Sequence, residues 1–114
     1  MGYHHVVKDG SIAYVSGQVS RDKDGNTVGL VDPTAQAEQI FKNLEGAWGS
    51  DGSDLRHLKK LTVYLTHKED IAAYRSVRSK LIPDDALPAS TLIICAGLAD
   101  PDFRIEAEVI ASIP

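Results

Sequence analysis

Two glutamates near the end of the chain, Glu106 and Glu108, are separated by one residue. In a β-strand, residues two apart project from the same face, so the two carboxylates would lie side by side, with Arg104 on that face as well. A carboxylate whose pKa is raised toward neutrality by burial can act as a general base. The alternative for Glu106 is an interface carboxylate paired with a lysine or arginine of a neighbouring subunit. For Glu108 and Arg104 we favour structural roles, with Arg104 solvated or salt-bridged.

Other reactive side chains are scattered along the sequence. Ser90 has no evident histidine and aspartate partners, which argues against a nucleophilic serine. We interpret the single cysteine, Cys95, as a small buried apolar residue. No metal site is expected, because the histidines include no pair four residues apart and accompany no cysteine cluster. They are His4, His5, His57 and His67.

The strands that would carry these residues are marked by alternating apolar positions. Residues 58–66 alternate most clearly, with Leu61, Val63 and Leu65 on one face and Lys60, Thr62, Tyr64 and Thr66 on the other. Lys8-Asp9-Gly10 is predicted as a hairpin turn between two short apolar runs, because Asp-Gly is typical of such turns. Strands are predicted at positions 4–7, 11–16, 58–66, 90–96 and 103–111.

Two helices are predicted between the strands. Asp32 followed by Pro33 indicates an N-cap and a first helical residue, and the glycine-rich segment 49–53 ends that helix. Asp70 can cap a second helix that ends before Pro83, with Arg75 and Arg78 in solvent. The apolar stripes are Ala37, Ile40, Phe41, Leu44, Ala47 and Trp48 in the first helix, and Ile71, Tyr74, Val77 and Leu81 in the second.

The resulting order, ββαβαββ, predicts an α+β fold in which two helices cover one face of a sheet. The other face carries charged residues, and oligomerisation around a wet or ligand-filled cleft would account for a polar face there. The length of 114 residues allows one domain, spanning 1–114. No internal repeat divides it.

Composition narrows the class of protein further. The net charge is −4, which argues against a dedicated nucleic-acid binder. One cysteine cannot form an internal disulfide, and no apolar run approaches the roughly 20 residues that cross a bilayer. We see no secretory or transit segment ahead of the first patterned residues. A reduced, cytoplasmic protein is therefore expected.

Five segments, in order and covering about Tyr3 to Ala111, resemble the YjgF/Rid proteins. Each motif is weak alone, and their combined order and spacing carry the resemblance. The segments are Val15-Ser16-Gly17-Gln18-Val19; Gln36-x-x-Gln39-x-Phe41-x-Asn43-Leu44; Leu61-Thr62-Val63-Tyr64-Leu65 followed by Asp70; Pro88-Ala89-Ser90-Thr91; and Arg104-Ile105-Glu106-Ala107-Glu108-Val109-Ile110-Ala111.

The resemblance implies a chorismate-mutase-like fold and a homotrimer with a central barrel and ligand clefts between subunits. It also implies cofactor-free hydrolysis of reactive enamines or imines, such as 2-aminoacrylate, to a 2-keto acid and ammonia. Other members carry the labels endoribonuclease L-PSP or translation inhibitor. Carried onto this sequence, the family pattern assigns the cleft aromatic to Tyr3, the cleft-lining glycine to Gly17, and the water-orienting glutamate to Glu106.

The sequence departs from the deaminating members after Pro88. Those members have a carboxylate-gripping arginine two residues after the proline, where this chain has Ser90. The next cleft position, frequently cysteine in those members, is Leu92. Serine cannot reproduce the paired, charge-assisted hydrogen bonds of a guanidinium group, so we predict weak activity toward free α-imino acids. Ser90 would contact a neutral substrate or simply leave a larger cleft.

Three functional hypotheses follow, and the sequence leaves them open. The first is a Rid-type hydrolase of a small imine, enamine or related metabolite, with water activated by Glu106. The second is a non-catalytic trimer that binds a small molecule as a sensor. The third and weakest is RNA cleavage, which the negative charge and the scarcity of aromatic residues disfavour.

Overall fold

The computed structural model describes residues 5–45, 47 and 55–113. The predicted site residue Tyr3, and the predicted features at His4, Trp48 and 49–53, lie outside this range. The element order ββαβαββ is confirmed, with three short 3-10 turns between the main elements. The elements are β1 (Val6–Asp9), β2 (Ile12–Gln18), α1 (Pro33–Glu45), β3 (Leu58–Leu65), α2 (Ile71–Leu81), β4 (Ala89–Ile94) and β5 (Ile105–Ser112).

The five strands form one sheet in the order β1-β2-β5-β3-β4. Strand β5, the last in the chain, lies at the centre and pairs antiparallel with both β2 and β3. Strand β4 is an edge strand parallel to β3, and α2 lies in the connection between them. The central position of β5 places Glu106 and Glu108 in the middle of the sheet.

Both helices pack on the same face of this sheet. In α1 the stripe residues Ala37, Ile40, Phe41 and Leu44 are buried as predicted, whereas Ala47 lies beyond the end of the helix and is only partly buried. In α2, Tyr74 and Val77 are buried. The Phe41 and Tyr74 rings stack across the two helices, with centroids 6.3 Å apart. From the strands, one alternating set of residues completes the core: Ala13, Val15, Leu58, Leu61, Val63, Leu65, Ile105, Ala107, Val109 and Ala111.

The strand ends differ from the predicted bounds. The β1–β2 hairpin turns at Gly10 and Ser11, because Asp9 already pairs with Ile12. Gly10 has a φ of 60°, which glycine adopts without a steric penalty. The turn therefore begins two residues later than expected, and β1 extends two residues past its predicted end, to Asp9. Likewise β4 covers 89–94 and β5 covers 105–112.

Helix α1 begins as predicted. The Asp32 Oδ1 atom accepts a hydrogen bond from the Ala35 backbone N–H at 3.1 Å, which caps the helix. One turn further on, the fully buried Gln36 amide donates to the carbonyls of Gly29 and Asp102 and accepts from the Arg104 N–H. This side chain therefore fixes the start of β5 against α1.

Helix α2 corrects two predictions. Asp70 precedes the helix as expected, but its carboxylate makes no capping hydrogen bond. It instead accepts two hydrogen bonds from Arg104, at 2.8 and 2.9 Å, so Arg104 has the salt-bridged role. Leu81 is 41% exposed, and the next residue, Ile82, is buried. The backbone becomes extended at Ile82, which turns that side chain into the core. No helix in the described residues is long and apolar enough to span a membrane.

Candidate functional site

The face of the sheet away from the helices carries the two glutamates. Register pairing places Tyr64 of β3 opposite Glu106 and Thr62 opposite Glu108. All four side chains alternate with buried core residues, and each is half-buried. The sequence-derived expectation that Glu106 and Glu108 share one face of the last strand is confirmed.

A β-bulge in β2 lies directly beside these residues. The β2–β5 register passes from Val15 opposite Val109 to Gln18 opposite Ala107, so Ser16 and Gly17 together oppose the single residue Glu108. A β-carbon on Gly17 would lie 2.7 Å from both Cδ and Oε2 of Glu106. The structure thus brings together Gly17 and Glu106, and only glycine allows this close approach with the carboxylate where it is.

The environment of Glu106 favours its protonated form. Burial is the main cause of a raised pKa, and the negative charge of Glu108 raises it further. A base with a raised pKa holds an abstracted proton more readily at neutral pH. The carboxylate of Glu106 is therefore suited to accept a proton from water.

Tyr64 holds the second carboxylate in place. Its hydroxyl donates a 2.6 Å hydrogen bond to Oε1 of Glu108. That bond is the largest cause of the raised pKa of Tyr64, with burial next, so the phenol stays protonated and remains a donor. Sequence alternation had placed Tyr64 on this face but gave no sign of the bond, which joins residues 44 positions apart.

The surface around these groups is concave and open. One hollow of about 350 Å³ is lined by Ser16, Gly17, Glu106 and Glu108. A second, of about 450 Å³, shares Ser16 and Glu108 and extends along the sheet. The rest of its lining comes mainly from the apolar and aromatic residues Val7, Tyr14, Val15, Val109 and Ile110. Lys60 and Thr62 complete it.

The remaining predicted cleft residues lie on the other face. Ser90 pairs with Leu61 and Leu92 with Val63, and both partners belong to the core. Leu92 packs against the core cluster, whereas Ser90 is exposed at the sheet edge. Within one chain, therefore, Ser90 and Leu92 are separated from Glu106 by the sheet.

The residues that do share the glutamate face are the alternate ones of β4. Thr91 lies opposite Thr62, and its hydroxyl accepts a 2.8 Å hydrogen bond from Lys60 Nζ. Cys95 lies just beyond the strand end, half-buried rather than fully buried as the sequence suggested. Among residues 5–45, 47 and 55–113, no three His, Cys, Asp or Glu side chains form a group that could hold a metal ion.

Comparison with known proteins agrees with this architecture. The family model described as endoribonuclease L-PSP matches residues 1–113. The mitochondrial protein mmf2 of Schizosaccharomyces pombe is 34% identical over 113 residues, covering 96% of this chain and 86% of that protein.

Two solved structures are similar throughout. RidA from the Antarctic bacterium Psychrobacter sp. PAMC 21119 superposes with a TM-score of 0.89 at 29% identity, covering 99% of this chain and 89% of that one. Yeast Mmf1 gives 0.88 at 29% identity, covering 99% and 88%. From the family match along nearly the whole sequence, together with these relatives, we conclude that the chain belongs to the endoribonuclease L-PSP family, which includes the YjgF and RidA proteins.

Proposed function

We propose that the protein hydrolyses a small imine or enamine, with Glu106 as the general base, and that free 2-aminoacrylate is a poor substrate. The observation that supports this best is the setting of Glu106. Its carboxylate is half-buried, has a raised pKa, lies against the Gly17 backbone and borders an open hollow. Membership of a family that includes a protein named RidA is consistent with such chemistry.

The proposed reaction needs only water and the substrate. The imine takes up a proton from solvent at its nitrogen, and Glu106 takes a proton from water as the hydroxide adds to the carbon of this protonated imine, which gives a neutral amino alcohol. Glu106 then returns a proton, directly or through water, to the tetrahedral intermediate. The carbon–nitrogen bond breaks, the hydroxyl loses its proton, and a carbonyl compound and ammonia leave. A residue in this role contributes about a hundredfold or more to the rate.

The expected substrate preference follows from Ser90 and the acidic groups. A hydroxyl at position 90 offers one neutral hydrogen bond where a guanidinium group would offer two charge-assisted ones. Each of those is worth about 1.5–3 kcal/mol, so their absence lowers affinity for a carboxylate by at least a factor of ten. The carboxylates of Glu106 and Glu108 also repel an anion. A neutral imine avoids both penalties.

We further propose that the working unit is a homotrimer with clefts between subunits. Ser90 and Glu106 lie on opposite faces of the sheet, so they can meet at one ligand only if different chains supply them. The edge strand β4 also leaves apolar surface open, with Ile93 and Ile94 exposed at 40% and 44%. Light scattering coupled to size exclusion should give the mass of three 12.3-kDa chains. A monomer at micromolar concentration would contradict this.

Ammonia release from a matched pair of substrates tests the proposed activity. The pair is 2-aminoacrylate and its neutral amide, both generated in situ, and each rate is compared with the rate without protein. We expect acceleration mainly for the amide, and at least a hundredfold loss in Glu106→Gln with the fold retained.

Three outcomes would contradict parts of the proposal. Equal acceleration of both substrates would refute the charge preference. Full activity in Glu106→Gln would refute the role of that residue. Saturable binding without any product would indicate a sensor. Cleavage of a labelled RNA by the wild-type protein but not by Glu106→Gln would indicate a ribonuclease.

A further inference from the structure

The larger hollow on the glutamate face, of about 450 Å³, is joined to the smaller one beside Glu106. The two hollows share Ser16 and Glu108 in their linings, and Glu106 borders the smaller one. The larger one extends from these shared residues along the sheet. A molecule held at Glu106 can therefore continue into the larger hollow without leaving the surface.

One row of side chains across the strands forms the far part of the larger hollow. Val7 pairs with Tyr14, and Tyr14 pairs with Ile110, so these three side chains lie next to one another on the glutamate face. Val7 is 51% exposed and Tyr14 is 46% exposed. Lys60 follows Ile110 in the row, but its ammonium group donates to Thr91 in β4, on the other side of β3. The surface left facing the hollow is apolar and aromatic, which is typical of a binding groove.

The path from Glu106 to this row is open on the β2 side. Glu108 is the charged residue along it, and its carboxylate accepts the 2.6 Å hydrogen bond from Tyr64 of β3, which draws it away from β2. On β2, the residues opposite Glu108 are Ser16 and Gly17, whose side chains are small. An apolar chain can therefore pass over β2 without displacing a charged group.

The spacing along β5 sets the length of the group that fits. Glu106 and Ile110 are four residues apart, which corresponds to about 13–14 Å in an antiparallel strand. The attacking water at one end and van der Waals contact at the other take up about half of that distance. About 6–7 Å remains, which is the reach of a phenyl ring attached through two methylene groups.

We propose that the substrate is a neutral imine with a large apolar side chain, such as a phenylethyl group, which lies against Val7, Tyr14 and Ile110. This inference rests on the proposed hydrolysis at Glu106, and the continuity of the two hollows favours the substrate over a second protein as the occupant. The Tyr14 ring offers a face on which an aromatic group can stack. Affinity rises with the apolar area that binding removes from water.

Two unreactive amides test the hollow without hydrolysis. 4-Phenylbutanamide carries the phenylethyl group, and butanamide lacks the ring. Both would be titrated into the full-length protein and followed by NMR through backbone amide shifts in β2 and β5. We expect 4-phenylbutanamide to bind at least about ten times more tightly than butanamide, and to shift the signals of Tyr14 and Ile110.

Variants of the exposed hollow residues test where the ring binds. Tyr14→Ala should reduce the affinity ratio of the two amides at least about threefold, whereas Tyr14→Phe keeps the ring and should preserve the ratio. Val7→Thr makes the hollow more polar at nearly constant shape and should lower the ratio about twofold, so the test survives if Tyr14→Ala folds poorly. Leu87→Ala is the matched control, because Leu87 is 59% exposed and lies outside the hollow.

Ammonia release then tests the substrate class. The imines of 2-oxo-4-phenylbutanamide and 2-oxobutanamide would be generated in situ, and kcat/KM compared for the two. We expect a preference of about tenfold or more for the phenyl compound. Tyr14→Ala should lower that preference, and Leu87→Ala should retain it.

Two results would overturn the apolar subsite. One is equal affinity for the two amides, or a ratio that neither Tyr14→Ala nor Val7→Thr changes. The other is the absence of any shift at Tyr14 and Ile110, which would indicate that another copy of the chain covers this face. Ring-dependent binding without ammonia release would refute the proposed hydrolysis alone. Hydrolysis without a preference for the phenyl compound would refute the subsite alone.

Discussion

The carboxylate of Glu106 lies against the backbone of Gly17, with no room between them for a β-carbon. A methyl group at position 17 would lie 2.7 Å from Oε2 of Glu106. The contact lies at the bulge in β2, where Ser16 and Gly17 together oppose the single residue Glu108. The backbone at Ser16-Gly17 therefore limits the positions that the Glu106 carboxylate can occupy.

Replacing Gly17 by alanine should displace Glu106 without unfolding the protein. The atoms in conflict are the end of a flexible side chain, and Gly17 has no positive φ that alanine would strain. We expect stability to change by less than about 1 kcal/mol. Imine hydrolysis should fall at least about tenfold, because small displacements of a catalytic group are costly. Ammonia release and urea unfolding measure the two effects.

Gly97→Ala provides the matched control. A β-carbon there meets nothing within 4 Å, so both stability and activity should be those of wild type. If Gly17→Ala also retains full activity, the close approach has no role in placing the carboxylate.

The raised pKa of Glu106 predicts how stability depends on pH. The folded state favours the protonated carboxyl of Glu106. The stabilisation that results is present below the ordinary pKa of 4.5 and is lost as the pH rises through the higher pKa of the folded state. Glu106→Gln cannot lose a proton, so its stability relative to wild type should increase from pH 4 to pH 8. Unfolding free energies at both pH values test this, and a constant difference would contradict it.

The same carboxyl should set the pH dependence of the reaction. A general base must be ionised, so the rate should rise with pH through the folded pKa of Glu106. Since the charge of Glu108 raises that pKa, Glu108→Gln should move the rise to lower pH. Tyr64→Phe removes the hydroxyl that is hydrogen-bonded to Glu108. The pH profile of this variant tests whether that bond is needed to keep the Glu108 charge near Glu106. A profile unmoved in Glu108→Gln would show that burial alone shifts the pKa.

Removing one partner of the Asp70–Arg104 pair should cost more stability than removing one partner of an exposed ion pair. Asp70 has a side chain only 4% exposed and accepts two hydrogen bonds from Arg104. Asp70→Ala should cost about 3 kcal/mol, as breaking a buried pair does. Asp85→Ala removes the partner of Arg56 at a side chain 74% exposed, and should cost less than about 1 kcal/mol. Equal costs in urea unfolding would show that burial adds nothing to the first pair.

Local patterns were sufficient to predict the element order and the shared face of Glu106 and Glu108. Alternation and helical spacing are patterns of residues a few positions apart, because side chains at those spacings lie on the same face of a strand or helix. The Asp32 cap is equally local, since its bond spans three residues. These features were therefore predictable from the sequence.

Features that depend on pairing between distant parts of the chain could not be predicted from the sequence. The parallel pairing of β4 with β3 decides that Ser90 and Leu92 face the helices, and no local pattern in residues 90–96 reveals it. Asp70 is a good helix cap by its position, but a guanidinium group 34 residues away offers two charge-assisted bonds instead. Arg78 was expected in solvent, whereas it is half-buried, with its Cζ 5.8 Å from the centroid of the Tyr74 ring.

The identity of residue 90 gives a direct test of substrate preference. Ser90→Arg should increase kcat/KM for 2-aminoacrylate by at least about tenfold, since the new guanidinium group can bind the carboxylate through two charge-assisted bonds. The neutral amide should gain nothing. Ser90→Lys is the control, because an ammonium group adds the charge without the paired geometry and should give a smaller gain. If folded Ser90→Arg protein shows no gain, residue 90 does not contact the substrate carboxylate.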